Sequence, residues 1–198
     1  MEFLIGFFLF YIVFWLAILG LCILQYVLQG YGLYTMARRR GIRNPWLAWI
    51  PLGSSWVLGC ISDQYQYVTK GVRRNKRKLL VGLSVAVMIL PGLFVFFMLV
   101  AMLLAESLGG WSVLLVLLGY FGWFALLSGL GIWCSILSYL ALYDLYQSAE
   151  PKNAVPFLLL SIFCGGIAQA VVLFLCRDKD DGMPPRPVAP VLPGTDGL

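Results

Sequence analysis

Three stretches of the chain carry no charged residue over a length greater than a bilayer is thick. Phe3 to Leu28 and Leu79 to Leu104 are 26 residues each, and Trp111 to Leu142 is 32. At about 1.5 Å per residue each exceeds the roughly 30 Å hydrocarbon core, so each is predicted to be a membrane-crossing helix, tilted where it is long. The first is read as a retained crossing rather than a signal peptide. Its apolar core is much longer than the roughly 7–15 residues of such a segment, and Glu2, not a basic residue, opens it. Pro91 and Gly92, in the middle of the second, predict a lost backbone bond and a kink. The turn from Glu106 to Gly110 is long enough only for a hairpin between antiparallel helices, and the third helix is expected to run past Asp144.

Two further apolar segments do not fit a straight crossing. Pro45 to Ser62 is 18 residues long but contains Pro45, Pro51, Gly53, the Ser54-Ser55 pair and Gly59. Length and helix propensity both argue against a continuous span there. Ala154 to Cys176 has 23 residues divided by Gly165-Gly166 into halves of about eleven, each too short alone. Both segments are predicted to be re-entrant hairpins that dip into the bilayer and return, with four or five full crossings as the alternatives.

Composition agrees with this placement. The hydrophobic share is 61% and the charged share 12%, against roughly 25% charged in soluble domains. The 14 basic residues, which give a net charge of +5, fall in four clusters: Arg38, Arg39, Arg40 and Arg43; Lys70, Arg73, Arg74, Lys76, Arg77 and Lys78; Lys152; and Arg177, Lys179 and Arg186. Five crossings split them seven to seven, four crossings eleven to three, and three crossings with two re-entrant hairpins place all on one face. The positive-inside bias therefore ranks the three-crossing arrangement first. It puts the N-terminus outside and the basic connectors in the cytoplasm, and leaves only the side of the tail dependent on whether four helices cross.

The same arrangement accommodates a parallel internal repeat. A shift of 109 residues superposes Leu33-Tyr34 on Leu142-Tyr143, Met36 on Leu145 and Arg43-Asn44 on Lys152-Asn153. Each copy, residues 1–62 and 111–176, then reads as a crossing helix, a polar connector and a broken apolar segment. Residues 1–180 form one helical membrane domain in this reading. The tail, residues 181–198, holds five prolines and little that could build a core, and is expected to be disordered.

Little catalytic chemistry is on offer. Histidine is absent, which removes the usual general base and the commonest metal ligand. The five cysteines stand singly in apolar surroundings, without the paired spacing of a zinc or redox motif. No ionisable residue lies in the interior of the three long segments, where pumps and transporters normally carry one. No catalytic, metal or cofactor site is expected.

What remains are contacts. Arg38, Arg39, Arg40, Arg43, Arg73, Arg74, Lys76, Arg77 and Lys78 flank crossing helices at headgroup depth. At about 1 kcal/mol per basic residue they would attract anionic lipid or an acidic partner; the simpler reading is that they only fix orientation. Trp46, Trp49 and Trp56 suit the membrane interface as anchors, with Pro51 and Gly53 marking the turn of the first hairpin. Ser128, Gly131, Ser135 and Ser138, spaced three, four and three apart, line one face of the third helix and permit close helix packing within or between chains.

The run Ala37-Arg-Arg-Arg-Gly41-Ile-Arg-Asn-Pro-Trp46-Leu-Ala-Trp-Ile-Pro51, with Lys152-Asn153-Ala-Val and Gly182-Met-Pro-Pro-Arg186, resembles small uncharacterised bacterial multi-pass membrane proteins with a Gly-Ile-x-x-Pro-Trp-Leu-Ala-Trp-Ile-Pro pattern. The resemblance covers about a third of the chain and implies residence in a bacterial inner membrane. It transfers no activity. The expectation is a non-enzymatic, all-α integral membrane protein acting as a scaffold for anionic lipid or a protein partner, without nucleic acid; the alternative is a small homo-oligomeric channel or transporter with the hairpins lining its pathway.

Overall fold

The computed structural model describes residues 2–72, 75–108 and 111–184. Their order is α1 (Glu2–Arg39), a 3-10 turn (Pro45–Trp49), α2 (Pro51–Lys70), α3 (Lys76–Leu108), α4 (Trp111–Ala149), a second 3-10 turn (Pro151–Asn153), α5 (Ala154–Phe163) and α6 (Gly165–Leu175). Three helices are long and apolar enough to cross a membrane, over Gly6–Arg39, Lys76–Leu103 and Val116–Ala149. They carry exposed apolar side chains such as Phe10, Leu16, Phe96, Leu103, Phe121 and Trp133. A soluble protein would not expose such continuous apolar surface, whereas a lipid-facing helix does. The protein is an all-α, multi-pass membrane protein.

α1 ends by a defined device. Gly41, at φ 68, takes the left-handed conformation that favours glycine. Its N–H donates to the Arg38 carbonyl at 3.2 Å, and Ile42 N–H reaches back to the Ala37 carbonyl at 3.0 Å. This double closure satisfies the last carbonyls and turns the chain back toward the helix it has just left. The following segment climbs α1. Ala48 is buried, the Trp49 ring lies against Gly30, and Tyr26 Oη donates to the Trp49 carbonyl.

The segment 45–62 departs from its predicted form. The expected breaks at Gly53, Ser54-Ser55 and Gly59 do not occur; the single break is at Ile50, in extended conformation, and α2 runs unbroken for 20 residues. Pro45 and Pro51 each begin a helical turn, where the missing N–H costs nothing. Ser54 Oγ donates to the Pro51 carbonyl at 2.7 Å, inside the helix. Two glycines serve close approach instead. A Cβ on Gly53 would strike the Leu47 carbonyl, and one on Gly59 would sit 2.5 Å from Arg77 Cα. Gly53 thus lets α2 fold against the 3-10 turn, and Gly59 lets α3 come against α2.

α2 descends to the end of the bundle at which the segment began. Gln64 Nε2 donates to the Arg40 carbonyl at 3.4 Å, and Asp63 accepts the N–H groups of Lys76 at 3.0 Å and Arg77 at 3.3 Å. α3 then runs as one helix through Pro91, whose missing N–H is the lost backbone bond expected there. α3 and α4 pair antiparallel: Phe94 meets Tyr120 and Trp123 at one level, and Lys76 meets Asp144 at the other. α4 runs past Asp144 to Ala149, and Gly109 and Gly110 of the connecting turn lie outside the described residues.

The second broken segment divides where the sequence places the break. Gly165, at φ 65, separates α5 from α6. α5 leaves the end of α4 and packs on it, with Ser161 Oγ 2.9 Å from Tyr146 Oη. α6 returns parallel to α1, Gly166 beside Gln25 and the Leu173 backbone 2.9 Å from the Cβ that Gly32 lacks. The chain arrives back where it departed: Lys179 pairs with Glu150 at 2.6 Å, and Asp181 N–H donates to the Ala149 carbonyl at 3.1 Å. Asp181 and Gly182, assigned to the tail by composition, are therefore docked on the end of α4; residues 185–198 lie outside the described residues.

The backbone of α1 approaches α6, the first 3-10 turn and α2, but not α3 or α4. α2, α5 and α6 are what join the helices into one body. The buried core, including Leu33, Met36, Val57, Ile61, Leu142, Leu145, Tyr146 and Leu173, lies in the half of the bundle that holds these shorter helices. Under the 109-residue shift Leu33 and Leu142, Met36 and Leu145, and Ala37 and Tyr146 are all buried, and α1 and α4 are each followed by a 3-10 turn containing proline.

Candidate functional site

The polar chemistry gathers at one end of the bundle. At its centre is the buried carboxylate of Asp144 on α4, 6% exposed. One oxygen, Oδ2, accepts from Lys76 Nζ at 2.6 Å, Ser62 Oγ at 2.5 Å and Gln66 Nε2 at 2.8 Å. Ser62 and Gln66, one helical turn apart on α2, point together into α4. Tyr65 Oη extends the network, donating to Gln147 Oε1 at 3.1 Å, and Gln147 Nε2 donates to Tyr143 Oη at 2.7 Å. A buried ion pair supplied with further hydrogen bonds fixes how α2, α3 and α4 register.

A second set of charges closes the α5–α6 hairpin. Arg40 on α1, its side chain 2% exposed, pairs with Asp180 at 2.8 Å, and Arg39 pairs with the other Asp180 oxygen at 3.0 Å. Arg39 Nη1 also donates to the Arg177 carbonyl at 3.1 Å. The Arg177 guanidinium lies 3.8 Å above the Phe174 ring. Lys179, through its hydrogen bond, holds the Glu150 carboxyl below its ordinary range, and Glu150 in turn raises the Lys179 ammonium.

The basic residues expected to face lipid thus divide. Arg39 and Arg40 pair with the acidic segment 178–180 that follows α6, and Lys76 pairs with Asp144. Arg38, Arg43 and Lys78 are exposed. Arg73 and Arg74 lie outside the described residues. Arg77 is half-buried, its guanidinium 5.4 Å from the centre of the Trp56 ring.

Arg77, Trp56 and Arg43 line a cleft of about 620 Å³ between the loop after α1, α2 and the start of α3. Ile42, Asn44, Cys60, Asp63, Gln64, Tyr67 and Asn75 complete its lining. Two buried polar atoms there, Arg77 Nε and Gln64 Oε1, have no hydrogen-bond partner. Neither Arg43 nor Arg77 has an acidic partner among the described residues. Trp46 and Trp49 are exposed on the climbing turn, Pro51 is exposed at the start of α2 and Gly53 is buried behind it. On α4, Ser128 and Ser135 face outward, Gly131 has open space where a Cβ would be, and Ser138 is half-buried. That stripe is not used in packing within the chain.

Sequence reasoning placed the basic clusters but missed Asp63, Ser62, Gln64 and Gln66. Their signal was the polar run Ser62-Asp63-Gln64 with Gln66 at the end of an apolar segment, in which Ser62 and Gln66, four apart, share one helix face.

These features define a multi-pass helical membrane protein whose polar groups meet at one end of the bundle. No family model, no curated protein and no solved structure matches the chain.

Proposed function

We propose that this protein is a non-enzymatic scaffold of the cytoplasmic membrane, associated with anionic lipid through a basic cytoplasmic face and held by two re-entrant hairpins in the inner leaflet. The observation that carries the reading is the return of both shorter segments to the end of the bundle they left, with residues 38–43, 63–64, 76–77, 150 and 177–182 within contact of one another there. In this orientation the inner leaflet holds six helices and the outer leaflet three, a wedge-shaped cross-section that favours curvature. Exposed Arg38, Arg43 and Lys78 then face the headgroups.

Reporter fusions after Gly71, after Glu106 and at Leu198 test the topology. The first and third are expected in the cytoplasm and the second outside; a fusion after Gly71 on the outer side overturns the reading. Lipid association is tested on protein reconstituted in mixed vesicles, using quenching of tryptophan by brominated lipids. Brominated anionic lipid is expected to quench more than brominated zwitterionic lipid, the difference shrinking with salt; equal quenching removes the scaffold.

The free stripe on α4 supports a second reading, a homo-oligomeric channel or transporter. Replacing Ser128, Gly131 and Ser135 by leucine would then abolish both cross-linking between copies and flux, and an unaltered monomer counts against it.

A further inference from the structure

The cleft bounded by Arg43, Trp56 and Arg77 differs from the rest of the basic face in that it is already shaped for a ligand. Its volume of about 620 Å³ falls within the roughly 300–1,000 Å³ of small-molecule sites. Two guanidinium groups converge on it without a carboxylate partner among the described residues. The one acid in its wall, Asp63, is engaged with the Lys76 and Arg77 N–H groups at the start of α3. Two guanidinium groups against one carboxylate leave the balance positive, the N-terminus of α3 being already met by Asp63. Arginine's planar fork matches a phosphate better than a point charge does. Beside the guanidinium groups the wall presents amides: Asn44, held at φ 64 in the connector, and Gln64, whose Oε1 has no donor. An acceptor without a donor calls for a hydroxyl or ammonium on the ligand. Trp56 supplies an apolar side along which a lipid's glycerol and upper chains can lie.

We infer that this cleft is a binding site for one phospholipid headgroup, Arg43 and Arg77 holding the phosphodiester and Gln64 with Asn44 receiving the headgroup hydroxyls, which is the chemistry of phosphatidylglycerol. The inference rests on the inner-leaflet placement proposed above, and it differs from a diffuse basic surface in predicting one retained molecule of defined stoichiometry.

The test is native mass spectrometry of the full chain released from detergent containing phosphatidylglycerol, phosphatidylethanolamine, phosphatidylcholine or inorganic phosphate. The wild type is expected to retain one phosphatidylglycerol at energies that strip other lipids. Arg43→Gln, at an exposed position, and Arg77→Lys, which keeps the charge but loses the fork, are each expected to lower retention at least tenfold, while Lys152→Gln, exposed on the second 3-10 turn and not in the cleft wall, leaves it unchanged. The thermal melt of each variant without lipid shows that the fold is intact; Arg43→Gln carries the test if Arg77→Lys melts early. Equal losses for Lys152→Gln and Arg43→Gln overturn the site and leave the diffuse scaffold standing. Retention of one lipid together with equal brominated-lipid quenching leaves the site and removes the scaffold. Preferential retention of phosphatidylethanolamine, or of inorganic phosphate alone, overturns the assignment to an anionic glycerol headgroup.

Discussion

Asp144→Ala removes the acceptor shared by three donors and leaves the Lys76 ammonium, whose side chain is 14% exposed, without an anion. Breaking a buried ion pair from one side costs about 3–5 kcal/mol, because the remaining charge stays desolvated. The hydrogen-bond count agrees in size: a charge-assisted bond from Lys76 and two further bonds to a carboxylate, each about 1.5–3 kcal/mol, partly recovered by water entering the space. For a chain of about 200 residues 1 kcal/mol shifts the melting temperature by roughly 2–4 °C, so the loss is about 6–20 °C. The double variant Lys76→Met with Asp144→Leu removes both charges and keeps apolar volume, and it is expected to lose less than half of that. Intrinsic tryptophan fluorescence during heating of detergent-solubilised protein measures both. If the single and double variants melt together, or if Asp144→Ala shifts the melt by less than 2 °C, the pair is screened by solvent and does not register α2 against α3 and α4.

Gly59→Leu forces a side chain into the Arg77 backbone, where even a Cβ would lie at 2.5 Å. Separation of α2 from α3 is expected to cost at least the 1–3 kcal/mol typical of overpacking, read in the same melt, with Gly82→Leu, which has open space, as the neutral control. The Glu150–Lys179 closure depends on pH in both directions. Glu150 titrates below its ordinary 4.5, so its contribution is present above that value and fades as pH falls through the lowered pKa. Lys179 titrates above 10.5, so its contribution is present below that value and fades as pH rises through the raised pKa. Protection of the Asp181 and Gly182 amides from hydrogen exchange, corrected for the intrinsic rate, should be flat between these limits and fall as pH drops through the lowered Glu150 pKa; protection unchanged in Glu150→Gln would show that the ion pair does not hold the segment. Gly165→Val, at φ 65, should loosen the α5–α6 turn and raise protease cleavage there.

The three crossing helices were legible because charge exclusion over 26 or more residues has one physical solution in a bilayer. The break at Gly165 was legible for a different reason: two short apolar halves around paired glycines leave no other place for the chain to reverse. The break at Ile50 was not. Proline, serine and glycine in residues 51–59 look like helix breakers, yet Pro51 sits at a first turn and Gly59 serves a neighbouring helix, and only the neighbour's position reveals which. The polar end was half legible. Basic residues next to apolar segments locate the membrane surface, but which arginine faces out depends on carboxylates more than a hundred positions away, as with Arg40 and Asp180.

The two shorter segments matter to the fold as much as to any contact with lipid. α1 does not bring its backbone against α3 or α4, and its N-terminal half, from Phe7 to Leu24, is largely exposed. Between apolar helices in lipid there is no hydrophobic drive to associate. Cohesion must then come from close packing and polar bonds, and both are found where α2, α5 and α6 lie. Gly32 receives α6, Gly59 receives α3, Asp144 ties α2 to α3 and α4, and Arg40 ties α1 to the segment after α6. A chain with three crossings alone would hold α1 to the α3–α4 pair by one connector. Returning segments turn that connector into two walls, and the cleft beside Arg43 and Arg77 is a consequence of how the first wall is built: the loop that climbs α1 and the helix that comes back cannot fill the space between them at the start of α3.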